Sequence, residues 1–186
     1  MNKKLSEMTL EELWQLFPIF LTEHKDFWKD WYAQEEALLK SLLGRQVKIS
    51  HIGSTAIRFI WAKPIIDILV EVPRGCNLSD IKDLLVAHNY ICMSQSNDRI
   101  SFNKGYTEYG FADRVFHLHL RYAGDNDELY FRDYLLEHAD IARKYEEMKL
   151  KLWKKYGHNR DAYTDAKTEF VRKWTSEAKK TYYGRY

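Results

Sequence analysis

The sequence predicts an α+β (mixed α/β) protein with a mixed sheet at its centre and helices packed around it. Three observations carry that prediction. Apolar residues at helical spacing fill both ends of the chain. Short, β-branched, alternating runs are confined to residues 46–122. Within them a Gly-Ser turn, Gly53-Ser54, faces a second strand pattern that carries one acid, Asp67. With 186 residues, 45% of them apolar and 15% aromatic, the chain can build a sizeable core, and a single domain over 1–186 is expected.

The elements follow in order. Residues 1–44 read as helical. Thr9 caps LEELWQLF, and Glu12, three residues on, completes a capping box. His24 to Leu43 shows a helical stripe of Phe27, Trp28, Trp31, Ala37, Leu38 and Leu42, with Gly44 as its stop. Residues 46–122 hold five expected strands, Val47–His51, Ile65–Val72, Tyr90–Ser94, Ile100–Tyr106 and Arg114–Tyr122. A helix over Leu78–His88, capped by Asn77 or Ser79, joins the second strand to the third. Residues 127–183 return to helix, with spans at Asp127–His138, Ala139–Tyr156 and Arg160–Lys180. Pro18, Pro64 and Pro73 fall at element edges, where a missing N–H does no harm.

Composition excludes several functions. A net charge of +2 with no basic stripe argues against a nucleic-acid partner held by blanket electrostatics. The basic, aromatic tail KKTYYGRY reads as a helix terminus rather than a nucleic-acid contact. Cys76 and Cys92 form no CxxC and read as reduced thiols. Met1 to Trp14 lacks the apolar stretch of a signal peptide, and no run reaches membrane-spanning length. A cytoplasmic protein with no membrane partner is the expectation, and oligomeric state is left open.

The chemistry concentrates between His51 and Val72. Gly53 has no Cβ, so the backbone N–H groups of its turn can approach phosphate oxygens closely. Twelve residues separate Ser54 from Asp67, which can hold a divalent cation against the same phosphates. The competing reading makes Asp67 a partner of Lys63 in an ordinary strand crossing. His117 and His119 lie two apart on a later strand, hence on one face, possible neighbours of Asp67. Such an Asp/His cluster would take Mn²⁺ or Zn²⁺ as readily as Mg²⁺. Otherwise the two histidines bond neighbouring strands and a substrate group.

His51-Ile52-Gly53-Ser54-Thr55-Ala56 followed by Ala62-Lys63-Pro64-Ile65-Ile66-Asp67-Ile68 resembles the GrpB family. The likeness continues in His117-Leu118-His119-Leu120 and Phe131-Arg132-Asp133-Tyr134-Leu135. It extends through Tyr145, Lys149, Arg160, Tyr163, Lys167 and Phe170, so that it covers the chain from about Trp31 onward. The resemblance implies a nucleotidyltransferase-like mixed sheet, and it adds His51 and Thr55 to the expected phosphate-binding residues. The sequence departs from that fold's usual pattern of two acids one residue apart. Ile65 stands where the first acid belongs, and Asp67 fills the second place. Arg58-Phe59 replaces the Pro-Gly of many relatives.

Around this motif, Lys63 could reach a phosphate as a point charge. Arg99 and Lys104, with Arg114 beyond them, are strand basics that could neutralise an anionic substrate. Arg132 could clamp a phosphate or carboxylate, or pair internally with a neighbour of Asp133 or with Glu128. Tyr163 and Lys167, i and i+4, share a helix face and with Arg160 could wall a cleft. The leading expectation is nucleotidyl transfer from a nucleoside triphosphate to a small-molecule acceptor, with a divalent metal on Asp67, His117 and His119. Asp67 or His119 would be the catalytic base. A non-catalytic phosphate-binding module, or a metal-dependent phosphotransferase or hydrolase, are the alternatives. A second carboxylate beside Asp67 separates them. Asp113 is the candidate, because Glu71 lies about 13 Å along the strand.

Overall fold

The computed structural model describes residues 3–186. Among these, helix α1 (Leu10–Leu16) and α2 (Trp28–Leu43) precede β1 (Lys48–Ile52), β2 (Ile66–Val72), α3 (Leu78–Ala87), β3 (Ile91–Gln95), β4 (Arg99–Thr107) and β5 (Gly110–Tyr122). Three helices close the chain: α4 (Asp127–Glu137), α5 (Ala139–Tyr156) and α6 (Arg160–Thr181). The expected strands and helices all form, with ends moved by a few residues. Thr9 and Glu12 make the expected capping box, and the Asn77 side chain, rather than Ser79, caps α3 by accepting from the Ser79 N–H at 3.0 Å.

The strands form one five-stranded sheet in the order β1-β2-β5-β4-β3. Only β2 and β5 run parallel. Because side chains alternate along a strand, the sheet has two unlike faces. One carries Ile66, Ile68, Val70 and Val72 of β2, with Phe116, Leu118 and Leu120 of β5. These pack under Trp28 and Leu39 of α2 and Leu78 and Leu85 of α3, forming the main core. The other face carries Asp67, Leu69 and Glu71 beside His117, His119 and Arg121. There Leu129 of α4 packs on Ile52 and Leu69, Glu71 and Arg121 are buried, and Asp67 and His119 face a cleft. Helices α4, α5 and α6 hold one another through a second cluster around Tyr134, Leu135, Tyr145 and Ala178.

Helix α2 begins at Trp28 rather than His24, and its buried stripe is not the expected one. Trp28, Glu35 and Leu39 are buried, whereas Ala37 and Phe27 are exposed. Glu35 is tolerated inside because it accepts from Tyr90 at 2.8 Å and pairs with Lys104 at 2.6 Å. Upstream, Thr22 and Ala62 exchange backbone hydrogen bonds of 2.9 Å, which pins the extended segment before α2 to the loop leading into β2. No described helix is long and apolar enough to cross a membrane.

Candidate functional site

The site grows from the pairing of Ile52 with Asp67 at the end of β1. That register places the residue after Ile52 directly against the carboxylate. Gly53 has φ +70° and ψ −173°, a conformation open essentially to glycine alone. A Cβ there would lie 2.2 Å from Asp67 Oδ2, so glycine is also required for space. The chain then turns through one 3-10 segment, Ser54–Ala56. Thr55 is buried and fastens the turn: its hydroxyl donates to the Ile65 carbonyl at 3.2 Å and accepts from His51 Nε2 at 2.9 Å.

His51 therefore works from behind. It pairs with Ile68, on the α2 face, and stacks on Tyr32 with ring centres 4.7 Å apart. Burial pushes its imidazole down to about 4, so it is neutral at ordinary pH. Its ring supports the Gly-Ser turn and does not line the cleft.

Asp67 pairs in register with His117, as the parallel β2–β5 ladder dictates. Its Oδ1 lies 3.2 Å from His117 Nδ1 and 3.9 Å from His119 Nε2. Burial works to raise the carboxyl, but the hydrogen bonds and charge of the two imidazoles outweigh it and hold Asp67 well below the usual carboxylate range. Burial works to lower His117, whose Nδ1 is turned to Asp67. Its Nε2 then accepts from the Tyr106 hydroxyl at 2.8 Å, and Tyr106 accepts from Arg160 at 3.1 Å. A relay from Arg160 through Tyr106 and His117 thus ends on Asp67.

Three lysines gather beside the Gly53-Ser54 turn and the Tyr163 ring. Lys149, buried in α5, donates to Ser54 Oγ at 3.0 Å and to the Trp61 carbonyl. Lys63 and Lys167 lie 5.4 and 4.4 Å from the centre of the Tyr163 ring. Burial pushes Lys63 down to about 7, and neighbouring Lys167 and Arg160 push the same way. Lys149 falls to about 7 for the same first reason, with Lys167 adding to it. Lys167 is lowered to about 8 by burial, against the pull of Asp67.

A cavity of about 960 Å³ opens between this face of the sheet and the long helix α6. Gly53, Ser54, Asp67 and His119 line its floor, with Arg132 and Lys167 among its walls. It is large enough for a nucleotide-sized ligand. The expected residues Gly53, Ser54, Asp67, His119, Arg132, Tyr163 and Lys167 are brought together here or directly behind the walls, with Lys63 beside Tyr163. Arg132 is already engaged: it donates to the His51 carbonyl at 2.9 Å and pairs with Asp133 at 2.7 Å.

Other expected residues are placed elsewhere. Lys104 alternates onto the α2 face, where Glu35 and Tyr90 hold it. Arg99 sits opposite Arg121, about 13 Å along β5 from His117, in a two-pronged pair with Asp125 at 2.7 Å. Arg114 donates to Gln34 at 2.6 Å on α2. Neither candidate carboxylate joins Asp67. Glu71 accepts from Gly124 and Asn126 at 3.2 and 2.9 Å, and Asp113 is exposed, about 13 Å along the strand from His117. Sequence reasoning missed the roles of Lys149 and Tyr106. The signals for Lys149 were its place in the family resemblance and its spacing of four from Tyr145, which puts both on one face of α5.

The donor set does not fit a pair of divalent ions. Ile65, at the first acid's place, is buried and apolar. Asp67 spends Oδ1 on the histidines and presses Oδ2 against Gly53, and both His117 nitrogens have partners. Among the described residues no three His, Cys, Asp or Glu side chains assemble as a metal-ligand cluster.

Comparison with known proteins places this geometry. The family model described as GrpB protein matches residues 18–177. The glutamate-rich protein GrpB of Alkalihalophilus pseudofirmus is 36% identical over 163 residues, 82% of this chain and 91% of that protein. The crystal structure of GrpB from Enterococcus faecalis superposes with a TM-score of 0.77 at 28% identity, covering 88% of this chain and 99% of that one. The poly(U) polymerase Cid1, solved with MgATP bound, shares the fold at a TM-score of 0.51 and 12% identity, over 79% of this chain and 47% of its own.

Proposed function

This chain belongs to the GrpB family, and we propose that it binds a nucleoside triphosphate in the cleft and transfers its nucleotidyl group to a small-molecule acceptor. The observation that carries the reading is the contact of Gly53 with Asp67, with Lys149 bonded to Ser54 above it. That contact presents a backbone turn, an acid and a buried ammonium to one point in space, and the fold is shared with a nucleotide-bound polymerase.

In the proposed reaction an acceptor hydroxyl or amine attacks the α-phosphorus. A new bond to phosphorus forms, the bond to the bridging oxygen breaks, and pyrophosphate leaves with the electron pair. Lys63, Lys149 and Lys167 offset charge on the phosphates. Asp67, strongly acidic, is a poor proton acceptor, so it positions His119, and His119 takes the acceptor's proton.

Ile65 at the first acid's place favours a second reading, a phosphate-binding module without turnover. The two separate in one experiment. ATP, GTP, CTP and UTP are titrated into the protein and into Lys167→Met, and pyrophosphate release is followed over a panel of hydroxyl and amine acceptors. Binding lost in the variant together with acceptor-dependent release supports transfer. Binding without release supports the module, and no binding of any nucleotide refutes both. Arg99→Ala, outside the cleft, is the matched control.

A further inference from the structure

Lys167 lines the cleft, Lys149 stands behind its Ser54 and Lys63 beside the Tyr163 ring that Lys167 also meets, and none of the three is ion-paired with a carboxylate among the described residues. Lys149 is only 2% exposed, and its two hydrogen bonds go to neutral oxygens, Ser54 Oγ and the Trp61 carbonyl. Lys63 and Lys167 are half-buried, near the Tyr163 ring. Ammonium groups taken out of water without counter-charge are costly, and proteins keep them where a ligand supplies the missing charge. Of the acids near them, Asp67 is turned to His117 and His119, and Glu146 accepts from the Trp61 N–H at 2.7 Å. The carboxylates that would hold divalent ions are absent from this end: Ile65 replaces one, and Glu71 is tied to Gly124 and Asn126.

We infer that the cleft binds a polyphosphate chain through these fixed lysines, without a divalent ion bridging it to the protein. The inference rests on the phosphate-binding reading of the cleft and specifies its chemistry. Lys149 reaches the phosphate at the Gly53-Ser54 turn, exchanging the Ser54 hydroxyl for a phosphate oxygen or sharing it. Lys63 and Lys167 meet the remaining phosphates from the side of α6. Asp67 opposes the anion, because no cation stands between its carboxylate and the phosphates.

Inorganic tripolyphosphate and ATP are titrated calorimetrically into the full chain, in EDTA and in Mg²⁺, for wild type, Lys167→Met and Asp67→Asn. Lys167 lies at the half-exposed cleft wall, so its variant is expected to fold, and circular dichroism checks this. Tripolyphosphate should bind in EDTA within about threefold of its affinity in Mg²⁺. Losing one charge-assisted contact in Lys167→Met should weaken it about tenfold, and Asp67→Asn should tighten it by removing a repulsive charge. Binding that demands Mg²⁺, or that disappears in Asp67→Asn, overturns the inference. If ATP binds only with Mg²⁺, the nucleotide reading survives and the lysine site does not. If tripolyphosphate binds in EDTA but no nucleotide does, the lysine site stands and the nucleotide reading falls. If neither binds under any condition, both fall.

Discussion

Replacing Gly53 with alanine should damage this protein twice over, and the two costs can be separated. The backbone at φ +70° and ψ −173° is essentially closed to other residues, at about 1–3 kcal/mol. The new Cβ would lie 2.2 Å from Asp67 Oδ2, so the carboxylate must move and weaken its bond to His117, at about 1.5–3 kcal/mol for a charged hydrogen bond. Together Gly53→Ala should cost roughly 3–5 kcal/mol, which at about 2 kcal/mol per molar urea lowers the unfolding midpoint by roughly 1.5–2.5 M. In an Asp67→Ala background the clash with the carboxylate is gone, while the backbone cost and a 2.9 Å approach to the Cβ of residue 67 remain, so a double-mutant cycle should return a coupling of about 1.5–3 kcal/mol, the carboxylate's part. Equal costs in both backgrounds would refute the Gly53–Asp67 contact as the reason for the glycine. A total cost below about 1 kcal/mol would refute the backbone argument as well.

Two further predictions concern stability. Phe59 holds φ +67° with its ring 87% exposed, strain with little packing in return. Phe59→Gly should therefore stabilise the fold by roughly 0.5 kcal/mol, the relief of strain outweighing the added chain entropy, and an unchanged or lowered urea midpoint would count against it. Lys149 is lowered by burial from its ordinary 10.5 to about 7 in the folded chain. Between those values the unfolded chain binds more protons than the folded one, so the ligand-free protein gains stability as pH rises from 7 towards 10. Below pH 7 the burial cost is fully present. Lys149→Met should flatten that rise, so its deficit relative to wild type should be smaller at pH 6 than at pH 9. Parallel pH profiles of thermal unfolding would exclude the effect.

What the sequence determined by itself was local and short in range. Period-2 runs marked the strands, Thr9 and Glu12 marked a helix start, and Gly53-Ser54 followed by Asp67 marked the turn and its acid. Alternation also grouped His117 with His119 on one face, because neighbours two apart on a strand share a side. Which side mattered was beyond it. His51 and Lys104 belong to the face covered by α2, and Asp67 to the open one, because burial is decided by which helices land on each face. The parallel register of β2 on β5 set His117, rather than His119, directly opposite Asp67. The misplaced stripe of α2 has the same origin: Glu35 goes inside because Tyr90, just before β3, and Lys104 of β4 come to meet it from far along the chain. Lys149, ninety-five positions from Ser54, belongs in sequence to the family resemblance but carries no role there. Only the packing of α5 under the turn makes it part of the site, since a charge acquires its role from the groups that surround it in space.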